Sequence, residues 1–174
     1  MPALFLSLAS KSPVTKSFFI LCCILLLALM IQVGNALATP DLATTQRAAN
    51  QGDAVAQYNL AVMYDKGEHL PQNDAKAVHW YRKASEQGHA MAQTNLGIMY
   101  TTGQGVPKDY FIAAQWFQKA ARSGVDRAQY NLGIMHYYGD GVVRDRQKGC
   151  TLLRASAEKG HRRGIEAYNK LCAG

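Results

Sequence analysis

The sequence predicts an all-α solenoid of stacked helical hairpins with a period of 36 residues, and three observations carry that prediction. Gln57, Asn59, Leu60 and Met63 recur as Gln93, Asn95, Leu96 and Met99, then as Gln129, Asn131, Leu132 and Met135. Glycines keep the same register, as Gly67, Gly103 and Gly139 and as Gly52, Gly88, Gly124 and Gly160. Trp80 and Trp116 share a further register that becomes Leu152. Residues 57–92 match residues 93–128 at 13 of 36 positions, against about two expected from ordinary residue frequencies, which excludes chance. A unit of this size cannot bury its apolar face alone and must stack on its neighbours.

Residues 1–38 stand outside the period. Lys11 and Lys16 precede an apolar run of 14 residues, 18–31, followed by Ala36 and Ala38. The run suits the core of a secretory signal peptide and falls short of the about 20 residues of a membrane span. Cleavage is expected after Ala38, which predicts a periplasmic or secreted bacterial protein; the alternative is an inner-membrane anchor over residues 18–33. Cys22 and Cys23 lie inside the apolar run rather than at its end, which argues against a lipoprotein.

The remaining residues, 39–174, are expected to form one repeat domain. A leading half-unit over 41–52 aligns with a second helix, with Thr44 and Thr45 at the aromatic positions as a polar outer edge. Three full units follow over 53–160. Their first helices carry Ala56, Leu60, Met63 and Tyr64, then Ala92, Leu96, Met99 and Tyr100, then Ala128, Leu132 and Met135. Spacings of three and four place each set on one buried stripe. Gly67, Gly103 and Gly139 sit where a helix C-terminus needs left-handed backbone, and Pro71 or Pro107 blocks continuation. Asn73, Asp109 and Asp145 then read as N-caps of second helices. Those helices bury Ala77, Trp80, Tyr81 and Ala84, echoed by Ala113, Trp116, Phe117 and Ala120. A closing half-unit over 161–174 aligns with a first helix.

The chain carries a net charge of +7; without its leader, 17 basic residues face 12 acidic ones, leaving +5. The excess gathers late, at Arg144, Arg146, Lys148, Arg154, Lys159, Arg162, Arg163 and Lys170. An acidic partner or anionic envelope is one reading of it and solvated surface the other. No nucleic-acid motif accompanies the charge. Cys150 and Cys172 each lie eleven residues from His161. Along an antiparallel hairpin turning at Gly160 they reach the same height, which predicts a disulfide stapling the closing half-unit; two buried thiols are the alternative.

The segments NLGIMYTTGQGVPKDY at 95–110, AQYNLGIMHYYGDGV at 128–142 and WYRKASEQGHA at 80–90 resemble the Sel1-like repeat. The resemblance covers about 53–160 in full. It departs at Ala61 and His69, where the pattern favours glycine, and at His136, Gly149 and Leu152. It implies a right-handed αα superhelix, related to tetratricopeptide arrays, that works as an adaptor or scaffold without cofactor. It also implies that first helices line the concave face. There the sequence places Tyr58, Asn59 and Val62, then Thr94, Asn95 and Ile98, then Tyr130, Asn131 and Ile134. Asparagine is a poor helix former, so three in mid-helix call for a compensating hydrogen bond. Either the amides read a peptide backbone or they brace the stack. If they bind, changing Asn95 and Tyr130 weakens the partner without lowering the melting temperature.

The expected function is therefore binding of a protein or peptide in the cell envelope, with no catalysis; the alternatives are an immunity protein against a secreted effector and an envelope hydrolase or penicillin-binding activity. Ser156 and Lys159 have the S-x-x-K spacing of acyl enzymes, but without its companion motifs and at an alanine-like register. His69, His79, His89, His136 and His161 are dispersed without metal-ligand spacing.

Overall fold

The computed structural model describes residues 41–173; the expected leader over 1–38, and its alternative as an anchor over 18–33, lie outside them. The described residues form α1 (Leu42–Asn50), α2 (Ala54–Lys66), α3 (Asp74–Glu86), α4 (Ala90–Thr102), α5 (Tyr110–Arg122), α6 (Asp126–Tyr138), α7 (Arg146–Glu158) and α8 (Arg162–Leu171). Each helix packs on the next, and α6 also touches α8, so the chain is a row of hairpins made of α2 with α3, α4 with α5, and α6 with α7. None of these helices is long and apolar enough to cross a membrane.

Each boundary has a local cause. The helices α2, α4 and α6 stop at Gly67, Gly103 and Gly139, whose φ values of 73°, 80° and 90° are left-handed. The glycine amide and the next one both donate to a single carbonyl, that of Met63, Met99 or Met135, which closes the helix. The second helices open at the expected caps: Oδ1 of Asn73, Asp109 and Asp145 accepts from the amides of Lys76, Ile112 and Lys148 at 2.9 Å. Each cap residue's own amide also donates to the first helix, at the carbonyl of Tyr64, Tyr100 or His136, over 2.9, 2.9 and 2.8 Å. One side chain and one amide thus clamp both sides of each loop.

The interior repeats as well. Leu60, Leu96 and Leu132 are buried from the first helices, and Tyr81 and Phe117 fill the hairpins from the second. Trp80 and Trp116, one register earlier, are only half-buried, with the Nζ of Lys83 and Lys119 at 4.7 and 4.2 Å from the ring centres. This offset corrects the reading of the leading edge. Thr44 takes the tryptophan register and is exposed, whereas Thr45 takes the Tyr81 register and is buried, so only Thr44 presents a polar face. In the third unit Gly149 stands at the Ala77 register because a Cβ there would meet the Gly133 carbonyl oxygen and the Tyr137 nitrogen at 2.9 Å. Cys150 and Cys172 are bonded, with S–S 2.03 Å and Cα atoms 5.6 Å apart, joining α7 to the end of α8 as their equal distance from His161 requires.

Candidate protein-binding cleft

The first helices α4, α6 and α8 bound a cavity of about 470 Å³, lined by Ile98, Thr101, Arg127, Tyr130, Asn131, His161, Arg162 and Arg163. Three arginines line it and no carboxylate does. Arg162 lies 3.9 Å from Glu166, with both side chains largely in solvent, a pair of little energetic weight. Nη2 of Arg127 donates to Oδ1 of Asn95, while its Nε is buried without a partner among the described residues.

The three asparagines do different things. Nδ2 of Asn95 donates to the Tyr81 hydroxyl at 3.0 Å, and that hydroxyl donates to Oδ2 of Asp65 at 3.1 Å. With Arg127 this makes a relay from α2 through α3 and α4 to α6, crossing all three units. Burial, then the neighbouring Asp65 carboxylate, pushes the Tyr81 phenol far above its ordinary pKa, so it stays a donor. Asn95 is therefore placed as a brace, and changing it is expected to lower stability rather than leave the melting temperature untouched. At the register of Tyr81 the next hairpin has Phe117, which has no hydroxyl; Asn131 loses that partner and lines the cleft instead.

The other expected residues also divide. Ile98 and Tyr130 join Asn131 in the cleft. Thr94 does not: it is fully buried, and its hydroxyl donates to the Ala90 carbonyl at 2.9 Å, because α4 is covered on more than one side. Tyr58 stacks on the His89 ring with centres 4.5 Å apart, and Val62 packs against the core. Asn59 and Ile134 are half-buried and lie outside the cavity.

The model of the Sel1 repeat matches residues 54–89, 90–125 and 126–161, more than half of the chain. The chain belongs to the Sel1 repeat family. It is similar to c5321, a protective antigen of uropathogenic Escherichia coli strains displaying an SLR fold, with 36% identity and a TM-score of 0.71. That match covers 76% of this chain and 29% of the antigen, so the chain spans less than a third of its length. A Sel1 repeat protein from Oxalobacter formigenes shares 36% identity with a TM-score of 0.68, over 75% of this chain and 98% of that one. Helicobacter pylori cysteine rich protein B, at 23% identity and a TM-score of 0.56 over 70% and 92%, shares the fold. No curated protein matches. Sel1 repeat proteins generally serve as scaffolds for protein–protein interaction.

Two features of this Sel1 repeat chain escape a reading by residue type. His89 and His161 cap α4 and α8: each Nδ1 accepts a backbone amide, from Ala92 at 3.2 Å and from Gly164 at 3.1 Å. Asp53 caps α2 at the same register, at 2.7 Å from the Ala56 amide. The signal was the residue after each glycine of the 52, 88, 124 and 160 series, but histidine is not a typical cap. Ser156 and Lys159 form a structural brace. The buried Ser156 hydroxyl donates to the Asp126 carbonyl at 2.8 Å and Lys159 Nζ to that of Gly124, so both hold the turn before α6.

Two histidines, the His89 cap and the buried His136, are expected to make this Sel1 fold sensitive to acid. Desolvation lowers the pKa of His89, and desolvation followed by Lys148 lowers that of His136. A histidine whose folded pKa is depressed binds more protons when unfolded, so its stability contribution is complete above the ordinary value of about 6.5 and declines as pH falls below it. The melting temperature is expected to drop between pH 7.5 and pH 5, and less steeply in a His89→Asn variant, which keeps a cap oxygen. A melting temperature flat across that range would show that neither ring is held neutral by the fold.

Proposed function

We propose that this chain is an exported scaffold of the bacterial envelope that holds a segment of a partner protein along its concave face and performs no chemistry. The observation that carries the reading is the cleft between α4, α6 and α8. There Tyr130 supplies a half-buried aromatic surface and Asn131 an amide that the stack does not use for the Tyr81-type contact. Aromatic area beside paired donor and acceptor groups suits a peptide main chain with its side chains. Export is supported by Lys11 and Lys16 ahead of the apolar run 18–31, and by a Cys150–Cys172 bond that an oxidising compartment maintains.

Crosslinking in cells followed by pulldown from the periplasm identifies the partner, and variants test the face. Tyr130→Ala with Asn131→Ala is expected to weaken that partner about tenfold or more with little change in melting temperature. Asn95→Ala is expected to behave in the opposite way, lowering the melting temperature by about 4 °C as the Asp65, Tyr81 and Arg127 relay is cut. Unchanged affinity in the Tyr130 and Asn131 variant would move the site off this face.

A further inference from the structure

We propose that the cleft selects an acidic partner, an extended segment whose glutamate or aspartate side chains pair with Arg162 and Arg163 beside Arg127. The proposal rests on the concave-face reading above and adds the chemistry of the partner. Arg127 and Arg163 occupy one register on α6 and α8, a full period apart, and the corresponding residue of α4 is Met91. At this register the first helices of the last two units are cationic, and both arginines line the cavity. No acidic side chain lines the cavity, and Arg163 makes no ion pair among the described residues.

No acid forms a close ion pair with these arginines among the described residues. Glu166 reaches Arg162 only at 3.9 Å across exposed side chains, and Asp126 spends Oδ1 on the Arg127 amide at 2.7 Å. Arg127 already gives Nη2 to Asn95 and its Nε is buried, so the accessible donors of the cleft are the exposed guanidinium groups of Arg162 and Arg163. Guanidinium groups bind carboxylates through paired hydrogen bonds as well as charge, and in a half-enclosed cleft such pairs are less screened than on open surface. An extended chain sends alternate side chains to one side, about 7 Å apart, so acids at alternate positions face successive arginines together. Glu-x-Glu spacing is thus the simplest complement.

The probe is a fluorescein-labelled ten-residue peptide with glutamate at alternate positions, serine between them and an amidated C-terminus; its control carries glutamine for glutamate. Fluorescence anisotropy with the purified full chain, at about 50 and about 200 mM salt, reads the affinities. The glutamate peptide is expected to bind about tenfold tighter or more, with the advantage shrinking in the higher salt. Arg162→Gln with Arg163→Gln should remove that advantage at unchanged melting temperature, whereas Arg146→Gln with Lys148→Gln on α7, away from the cavity, should keep it. Equal losses in both double variants would reduce the effect to net charge and overturn the proposal. Displacement by millimolar inorganic phosphate would reassign the cleft to small anions and also overturn it, as would failure of the glutamate peptide to bind. Equal binding of both peptides, lost in Tyr130→Ala with Asn131→Ala, would sink the acidic preference and leave the concave-face reading standing. Binding indifferent to every cleft variant would sink both.

Discussion

Replacing Gly141 with alanine is expected to lower folding stability by about 3 kcal/mol, because two costs act at once. Gly141 sits at φ +66°, where a side chain costs about 1 kcal/mol. Its Cβ would also lie 2.3 Å from the carbonyl carbon of Tyr110 and 2.4 Å from its oxygen, backbone atoms at the start of α5 that cannot rotate away. Overpacking of that kind adds about 1 to 3 kcal/mol. Gly105 has the same relation to the Asp74 carbonyl at 2.5 Å, so the loop of each of these units docks on the opening turn of the preceding unit's second helix. Gly160 is the control: its φ of +82° carries the first cost, but nothing lies within 4 Å of its Cβ. Urea unfolding of the two alanine variants separates them, and equal losses would mean that the loops do not carry the contact between units. The backbone demand belongs to the register itself, since His69, at the corresponding place, is the one non-glycine among the described residues with positive φ, at 62°.

The hairpins and their caps were legible because they are set by residues close in sequence. A glycine that ends a helix and an Asp or Asn that opens the next act within a few positions, and the period repeats the message. The cleft was only partly legible. Whether an asparagine braces or binds depends on the residue it meets on another helix, a hydroxyl at Tyr81 for Asn95 and none at Phe117 for Asn131. Those residues stand 14 positions apart, and helical periodicity on one helix says nothing of the pairing. Thr94 was misplaced for a related reason. The single-stripe reading assumes a helix with one wet side, but α4 buries Gln93, Thr94 and Gly97 besides Ala92, Leu96, Met99 and Tyr100, because neighbours cover it on several sides. The histidine caps were hidden by residue type, since only the ring orientation shows that Nδ1 takes the place of an aspartate oxygen. The cysteine pair was legible from counting alone, as equal rise from a shared turn is enough to bring two residues level.

Removing the Cys150–Cys172 bond is the second change expected to have a large effect, about 3 kcal/mol for a loop of 22 residues on the basis of loop-closure entropy. Its consequence reaches beyond stability because of where the bond sits. The last helix, α8, is half a unit: it has α7 and a little of α6 to pack on, and Gly164 is the one residue it buries fully. Gly164 itself comes so close that a Cβ would lie 2.5 Å from Ser156 Oγ, which shows how little side-chain area holds the helix down. Burial of that size offsets only a small part of the backbone entropy of ten residues, at about 1 to 2 kcal/mol each. The disulfide supplies the rest by tethering the far end of α8, while the His161 cap and the turn at Gly160 hold the near end. Cys150→Ala with Cys172→Ala should therefore raise amide exchange first at residues 165–171, ahead of global unfolding. Because α8 carries Arg162 and Arg163, the same variant should weaken partner binding without touching a cleft residue. Mass spectrometry of alkylated, unreduced protein is the direct check, and two free thiols at 150 and 172 would remove the staple and with it this coupling between the redox state of the compartment and the shape of the cleft.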